Sequence, residues 1–235
     1  MNRMYRQQIE LLLRIIPTLE DVESFAIHGG TAINLYILDL PRYSVDVDLT
    51  YIPIKPREDS FTDIHKNLAI IKEKVKTIVP DITIIGKPNK IYCTRRGVMV
   101  KIEVSGTKRG LIDPATIRPL CDAAQNEFET TNKAKIVSLS QLYGGKIAAA
   151  LDRQHPRDLF DVKLMFDFIN SNLSLQDKEF LIAFESGEEL SRYNEYQEYL
   201  RFPSVQWKMQ NISKLKRINP AKLRKSIEKL EDFLL

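Results

Sequence analysis

Cysteine is scarce: 235 residues hold two, Cys93 and Cys121, in no CxxC or Cys/His spacing. That excludes a disulfide framework and a structural zinc site, and it fits a reduced, cytoplasmic protein. Long apolar runs are lacking too. No segment approaches the roughly 18 consecutive apolar residues of a membrane-spanning helix. The opening MNRMYRQQIELLLRIIP interrupts its apolar residues with charge and has no small-residue cleavage site. It reads as an amphipathic helix, not a signal peptide, and no membrane partner is expected. His65 and His155 show no ligand spacing, and His28 abuts the Gly29-Gly30 turn, where it either meets a ligand or is a satisfied buried histidine; neither a Ser/His/Asp order nor a nucleophile elbow occurs. Gly29-Gly30 is neither a Walker A loop nor GxGxxG, which removes the P-loop and Rossmann readings. No repeat of fixed period and no low-complexity tract is present.

What is present is an ordinary globular balance, 43% apolar and 28% charged, with a net charge of +4. The charge is segregated. Residues 201–225 carry eight basic side chains and no acid, while 87–109 carry seven against Glu103 alone. The stretch between them, 177–198, is acidic. Local rather than total charge decides whether nucleic acid is a partner. The 201–225 stretch, with Phe202 and Trp207 near its start, offers both phosphate contacts and base stacking, and reads equally as a solvated helical face.

Periodicity predicts a helix over about 3–16, a short buried strand over 24–28, a glycine break at Gly29-Gly30 and a helix over 31–38. Ser44–Tyr51 alternates, with Val45, Val47, Leu49 and Tyr51 on one face and Ser44, Asp46, Asp48 and Thr50 on the other. A helix over about 60–78 precedes strands at about 81–85, 90–94 and 98–105. In the last of these Val98, Val100, Ile102 and Val104 oppose Met99, Lys101, Glu103 and Ser105. Strand signals fade after about 110. Helices follow over 139–152, from Pro156 to about 170, and through 175–235. The expected organisation is an α/β domain over 1–135 and a helical domain over 136–235.

The chemistry concentrates in Gly29-Gly30-Thr31 and Arg42-Tyr-Ser44-Val-Asp46-Val-Asp48. Two aspartates at i and i+2 on a strand share a face, and two like charges that close are costly unless a cation joins them. Hard divalent ions such as Mg²⁺ take carboxylate oxygens together with substrate phosphates. The strand–Gly-Gly–helix turn offers backbone N–H groups to an anion. Together they describe a metal–triphosphate site, against the alternative that the two acids are the solvated face of an edge strand. Glu103, on the polar face of a later strand, is a candidate third metal carboxylate; the alternative is a surface residue paired with Lys101 or a cross-strand arginine. Lys146 sits mid-helix among Gly144, Gly145, Ala148, Ala149 and Ala150, where a point charge can meet a triphosphate. Asp158 and Asp161 fall near the start of the next helix, where acids also favour the macrodipole or pair with Arg157 or Arg153.

The pattern GGT, then RxSxDxD, then a strand carboxylate resembles the DNA polymerase β-like nucleotidyltransferase superfamily. Lys146 and the RDLFD at 157–161 are similar to the AbiEii/AbiGii toxin family, which includes the MenT toxins. The likeness spans about 25–165. It implies an α+β fold, a small mixed sheet flanked by helices and followed by a C-terminal helical bundle that completes the active site. It implies Mg²⁺-dependent nucleotide transfer, with two ions and an NTP substrate. Relatives act as toxins beside a cognate antitoxin protein, and some modify the 3′ end of tRNA. On this resemblance Asp46 and Asp48 are catalytic metal ligands, with Glu103 a third by its strand position. Gly29, Gly30, Thr31, Arg42 and Ser44 form the nucleotide-binding motif. Lys146 holds the triphosphate and Asp158 is the late catalytic aspartate. Rival readings are transfer to a protein or small molecule, a glycosyltransferase whose DxD binds a metal–nucleotide sugar, and a non-catalytic nucleotide-binding module.

Overall fold

The first helix follows from apolar spacing: Ile9, Leu12, Leu13 and Ile16 recur at the interval that lines one helical face, and all are buried. It spans Arg3–Ile15 (α1) and tightens into a 3₁₀ turn over Ile16–Leu19, where Pro17 ends the regular helix. The computed structural model describes residues 3–153 and 155–172. Strand β1 is Phe25–His28, followed by the helical turn α2 (Gly29–Ala32), a π-helical turn over Ile33–Ile37, and β2 (Asp46–Tyr51). Next come α3 (Arg57–Ile78), β3 (Thr83–Lys87), β4 (Lys90–Arg95) and β5 (Val98–Arg109). The remaining elements are β6 (Thr116–Pro119), α4 (Asp122–Phe128), β7 (Lys133–Ile136), α5 (Leu139–Arg153) and α6 (Pro156–Asn172).

Seven strands form one mixed sheet in the order β3-β4-β5-β2-β1-β7-β6. β2–β5 and β1–β7 run parallel and the other pairs antiparallel. Alternation sorts the strands into two faces. Val47, Leu49, Val100, Ile102 and Val104 are fully buried, and α1 and α3 pack against β5 and β4. α3 contributes Ile64, Leu68, Ile71 and Val75 at helical spacing. The opposite face carries Asp46, Asp48, Lys101 and Glu103. The β4–β5 hairpin closes through Arg96 and Gly97, both at positive φ (49° and 80°), the backbone of a type I′ turn.

Two strands go beyond the expectation from periodicity. β6 and β7 lie past residue 110, where the alternation signal fades, and they extend the sheet beyond β1. Each has four residues, too short to show a period. β6 ends in Pro119 and forms the sheet edge, where a missing N–H is tolerated. The helix expected over 31–38 starts at Gly29, so the glycines are its first turn rather than a break before it.

The chain divides into two compact units, Met1–Ser138 and Leu139–Leu235. In the second, α5 and α6 pack on each other, and Pro156 opens α6, where its missing N–H costs nothing. The helices expected over 175–235, with the acidic 177–198 stretch and the basic 201–225 stretch, lie outside the described residues. Among the described residues no helix is long and apolar enough to cross a membrane.

One polar contact under the sheet gives a pH-dependent stability. The Tyr51 hydroxyl donates to Asp63 Oδ2 at 2.5 Å, with Lys55 Nζ on the same oxygen at 3.0 Å. The Tyr51 hydrogen bond is the main cause that holds the Asp63 carboxyl below its ordinary value; burial opposes it and Lys55 adds to it. A depressed folded-state pKa stabilises above the unfolded value of about 3.9 and is lost as pH falls through the folded one. Tyr51→Phe is expected to cost about 1–2 kcal/mol at pH 7. The gap between wild type and variant in urea unfolding should narrow below about pH 4.

Candidate active site

The two halves of the glycine–aspartate motif meet because glycine leaves room. Gly29 has φ +76°, and a Cβ there would stand 2.7 Å from Asp48 Oδ2. A Cβ on Gly30 would stand 2.7 Å from Ser44 Oγ and 3.0 Å from an Arg42 guanidinium nitrogen. The structure therefore seats Asp48 on Gly29, and Ser44 and Arg42 on Gly30. Thr31 is 1% exposed, and its hydroxyl donates to the Asp46 carbonyl at 2.5 Å and lies 3.2 Å from Ser44 Oγ. That side chain ties α2 to the start of β2. Asn34 braces the turn from within its own helical segment, donating to the Gly30 carbonyl at 2.8 Å.

The β2–β5 register sets the charges. Asp46 pairs with Lys101 and Asp48 with Glu103 across parallel strands. His28 pairs with Asp48 from the other side, and its Nδ1 lies 3.1 Å from Thr50 Oγ1. Lys101 Nζ is 3.0 Å from Glu103 Oε2 and 3.7 Å from Asp46 Oδ2. Lys90 Nζ holds the other Glu103 oxygen at 2.8 Å. Burial raises the Glu103 carboxyl, but hydrogen bonds from the two lysines outweigh it and keep it below its ordinary value. Glu103 thus stands on the expected face, already engaged by two ammonium groups.

The donor set of Asp46 and Asp48 is all carboxylate oxygen, the chemistry of a hard divalent ion, and the missing side chain of Gly29 lets Asp48 sit against the turn. These residues fit Mg²⁺, which needs one or two carboxylates plus waters and substrate phosphates rather than a full protein cage. Among the described residues no cluster of three or more His, Cys, Asp or Glu forms such a cage.

A latch that leaves no signature in residue spacing holds the Arg42–Ser44 loop. Tyr43 donates to Glu127, Arg6 hydrogen-bonds both the Glu127 side chain and its carbonyl, and the Arg6 guanidinium lies 5.3 Å over the Phe128 ring. Burial and the bond to Glu127 push the Tyr43 hydroxyl up to about 12.

In the second unit Lys146 is 8% exposed, Asp158 5% and Asp161 0%. Lys146 Nζ lies 2.9 Å from Asp158 Oδ1 and 2.9 Å from Asp161 Oδ2. Sequence position alone leaves Asp158 and Asp161 open between capping and arginine pairing; in the fold both meet Lys146.

A family profile for the AbiEii nucleotidyl transferase toxin, type IV toxin–antitoxin system, matches residues 10–231. The chain belongs to the AbiEii family. It is a nucleotidyltransferase of a toxin–antitoxin family, with a nucleoside triphosphate as substrate and a cognate antitoxin implied. No curated protein matches the chain at a significant level. Among solved structures, a candidate nucleotidyltransferase from Helicobacter pylori is 15% identical, covering 99% of both chains with a TM-score of 0.50. JHP933 from Helicobacter pylori is also 15% identical at a TM-score of 0.50, over 100% of both chains. MenT4, a nucleotidyltransferase toxin of Mycobacterium tuberculosis, is 13% identical with a TM-score of 0.47 over 68% of this chain and 59% of its own. The Helicobacter structures share the fold, a mixed sheet flanked by helices.

The two charge clusters differ in what they give to stability. Removing Lys146 takes the ammonium away from two buried carboxylates, whereas the Asp46 side chain is 50% exposed and its loss relieves repulsion with Asp48. Lys146→Ala is expected to destabilise the second unit by about 3–5 kcal/mol. Asp46→Ala should leave stability within about 0.5 kcal/mol. Chemical denaturation of both variants against wild type measures the difference.

Proposed function

We propose that this AbiEii-family chain is a cytoplasmic, Mg²⁺-dependent toxin that moves a nucleoside monophosphate from an NTP onto an RNA acceptor, with the 3′ end of tRNA the first candidate. The observation that supports this reading most is the seating of Asp48 against Gly29, beside Arg42 and Ser44 against Gly30. It joins a paired-carboxylate site to polar and cationic groups suited to phosphates. In the reaction the acceptor 3′ hydroxyl gives up its proton to solvent and its oxygen bonds to the α-phosphorus. The bond from that phosphorus to the bridging oxygen breaks, and pyrophosphate leaves. Asp46 and Asp48 would hold Mg²⁺, which would supply positive charge to offset the triphosphate and the charge that develops on the attacking oxygen. Arg42, Ser44 and the Gly29-Gly30 turn orient phosphates, and Thr31 keeps that turn against β2. Lys146 is assigned to the triphosphate and Asp158 to the catalytic step on the family resemblance. Chemistry of this kind rests on positioning and charge stabilisation.

The test incubates the full chain with total tRNA, Mg²⁺ and each labelled NTP in turn. Labelled RNA is expected from wild type and none from Asp46→Ala or Asp48→Ala, with circular dichroism unchanged. Transfer to RNA should fall steeply between about 50 and 200 mM salt as phosphate contacts release counterions. Pyrophosphate release with label on protein or a small molecule would move the acceptor. Full activity in either aspartate variant would overturn the metal assignment, and Mg²⁺–NTP binding without turnover would favour a binding module.

A further inference from the structure

The carboxylate face of the first unit already contains a cation. Lys90, Glu103, Lys101 and Asp46 form a line of alternating charge across β4, β5 and β2, with contacts of 2.8, 3.0 and 3.7 Å. Lys101 has 26% of its side chain exposed and Glu103 28%, so solvent screens this line only in part. The placement follows from register, since Lys101 is the residue paired with Asp46 and Glu103 the one paired with Asp48. Among these contacts the Lys101–Asp46 approach is the longest and its aspartate the most exposed, at 50% of the side chain. It is therefore the contact that an incoming ion displaces at least cost.

We propose that Lys101 is a tethered counter-ion of the metal site: it neutralises Asp46 in the free protein, yields that carboxylate to an incoming divalent cation, and is retained by Glu103 when it does. The inference rests on the reading of Asp46 and Asp48 as metal ligands and deepens it. Lys101 is a positioning residue that opposes loading of the bare ion. The protein then takes its metal chiefly together with the triphosphate, whose negative charge outweighs the lysine. Glu103, between two ammonium groups, anchors that lysine.

The test titrates the full chain with Mn²⁺ in the absence of nucleotide and follows free Mn²⁺ by electron paramagnetic resonance. Lys101→Met keeps the length of the side chain and drops the charge, and Lys101→Gln does so with a polar end. Both are expected to bind Mn²⁺ at least roughly fivefold more tightly than wild type, the effect of one unit charge near 4 Å in a partly screened site. Lys101→Arg should stay near wild type. Unchanged or weaker binding in both neutral variants, or no binding in either, overturns the inference. Asp46→Asn in the Lys101→Met background should abolish the gained binding. If the gain survives there, the ion sits elsewhere, and the reading of Asp46 as a ligand fails instead.

Discussion

Two carboxylates two residues apart on one strand are the constraint around which the first unit is arranged. Asp46 and Asp48 share a face because strand side chains alternate, and like charges held that close destabilise the fold unless their surroundings answer them. The surroundings answer in two ways. Gly29, with φ +76°, removes the side chain that would collide with Asp48. The parallel β2–β5 pairing brings Lys101 opposite Asp46. A tight turn and a strand register, set by backbone geometry far apart in the chain, thus serve one electrostatic requirement. On the reading proposed for Asp46 and Asp48, a divalent ion would meet the same requirement from outside.

The scaffold beneath that face is conventional in its energetics. Its stability comes from the apolar side of the sheet against α1 and α3, where Leu49, Ile102, Ile71 and Val75 are fully buried. That leaves the opposite side free to carry charge with little bearing on folding. The Arg42–Ser44 loop is the exception, since a loop beside a charged site has few apolar contacts to hold it. Tyr43, Glu127, Arg6 and Phe128 supply an anchor from α4 and α1.

Local signals are legible in the sequence and long-range ones are not. Alternation in β2 and β5 is enough to place Asp46, Asp48 and Glu103 on polar faces, because a strand's period is two residues. The apolar spacing in α1 and α3 marks the helices. β6 and β7 escape because four residues show no period, and Pro119 argues against a strand except at an edge. Lys101, two residues away on the same strand, is the partner of Glu103 that spacing already offers, whereas the engagement of Glu103 by Lys90 depends on the β4–β5 register. The Tyr43 anchor depends on contacts between residues 43, 127 and 6. Neither leaves a mark in spacing. Asp161 is visible as an acid near the start of a helix, but its burial against Lys146 arises only when α5 and α6 pack.

The two units treat charge in opposite ways, and the contrast bears on what each is suited to do. The first keeps its acids accessible, with Asp46 half exposed, so an ion can still join them. The second buries one ammonium between two carboxylates, each at 2.9 Å. Taken as ionised, that cluster carries a net negative charge, which by itself repels a triphosphate. An ammonium has three N–H donors, however, and two carboxylates account for two of them. Asp158 and Asp161 thus fix the orientation of the Lys146 ammonium in the fold. On the assignment proposed for Lys146, the flanking acids weaken its pull on an anion and sharpen its aim. For phosphoryl chemistry governed by alignment at the α-phosphorus, aim is the more valuable of the two.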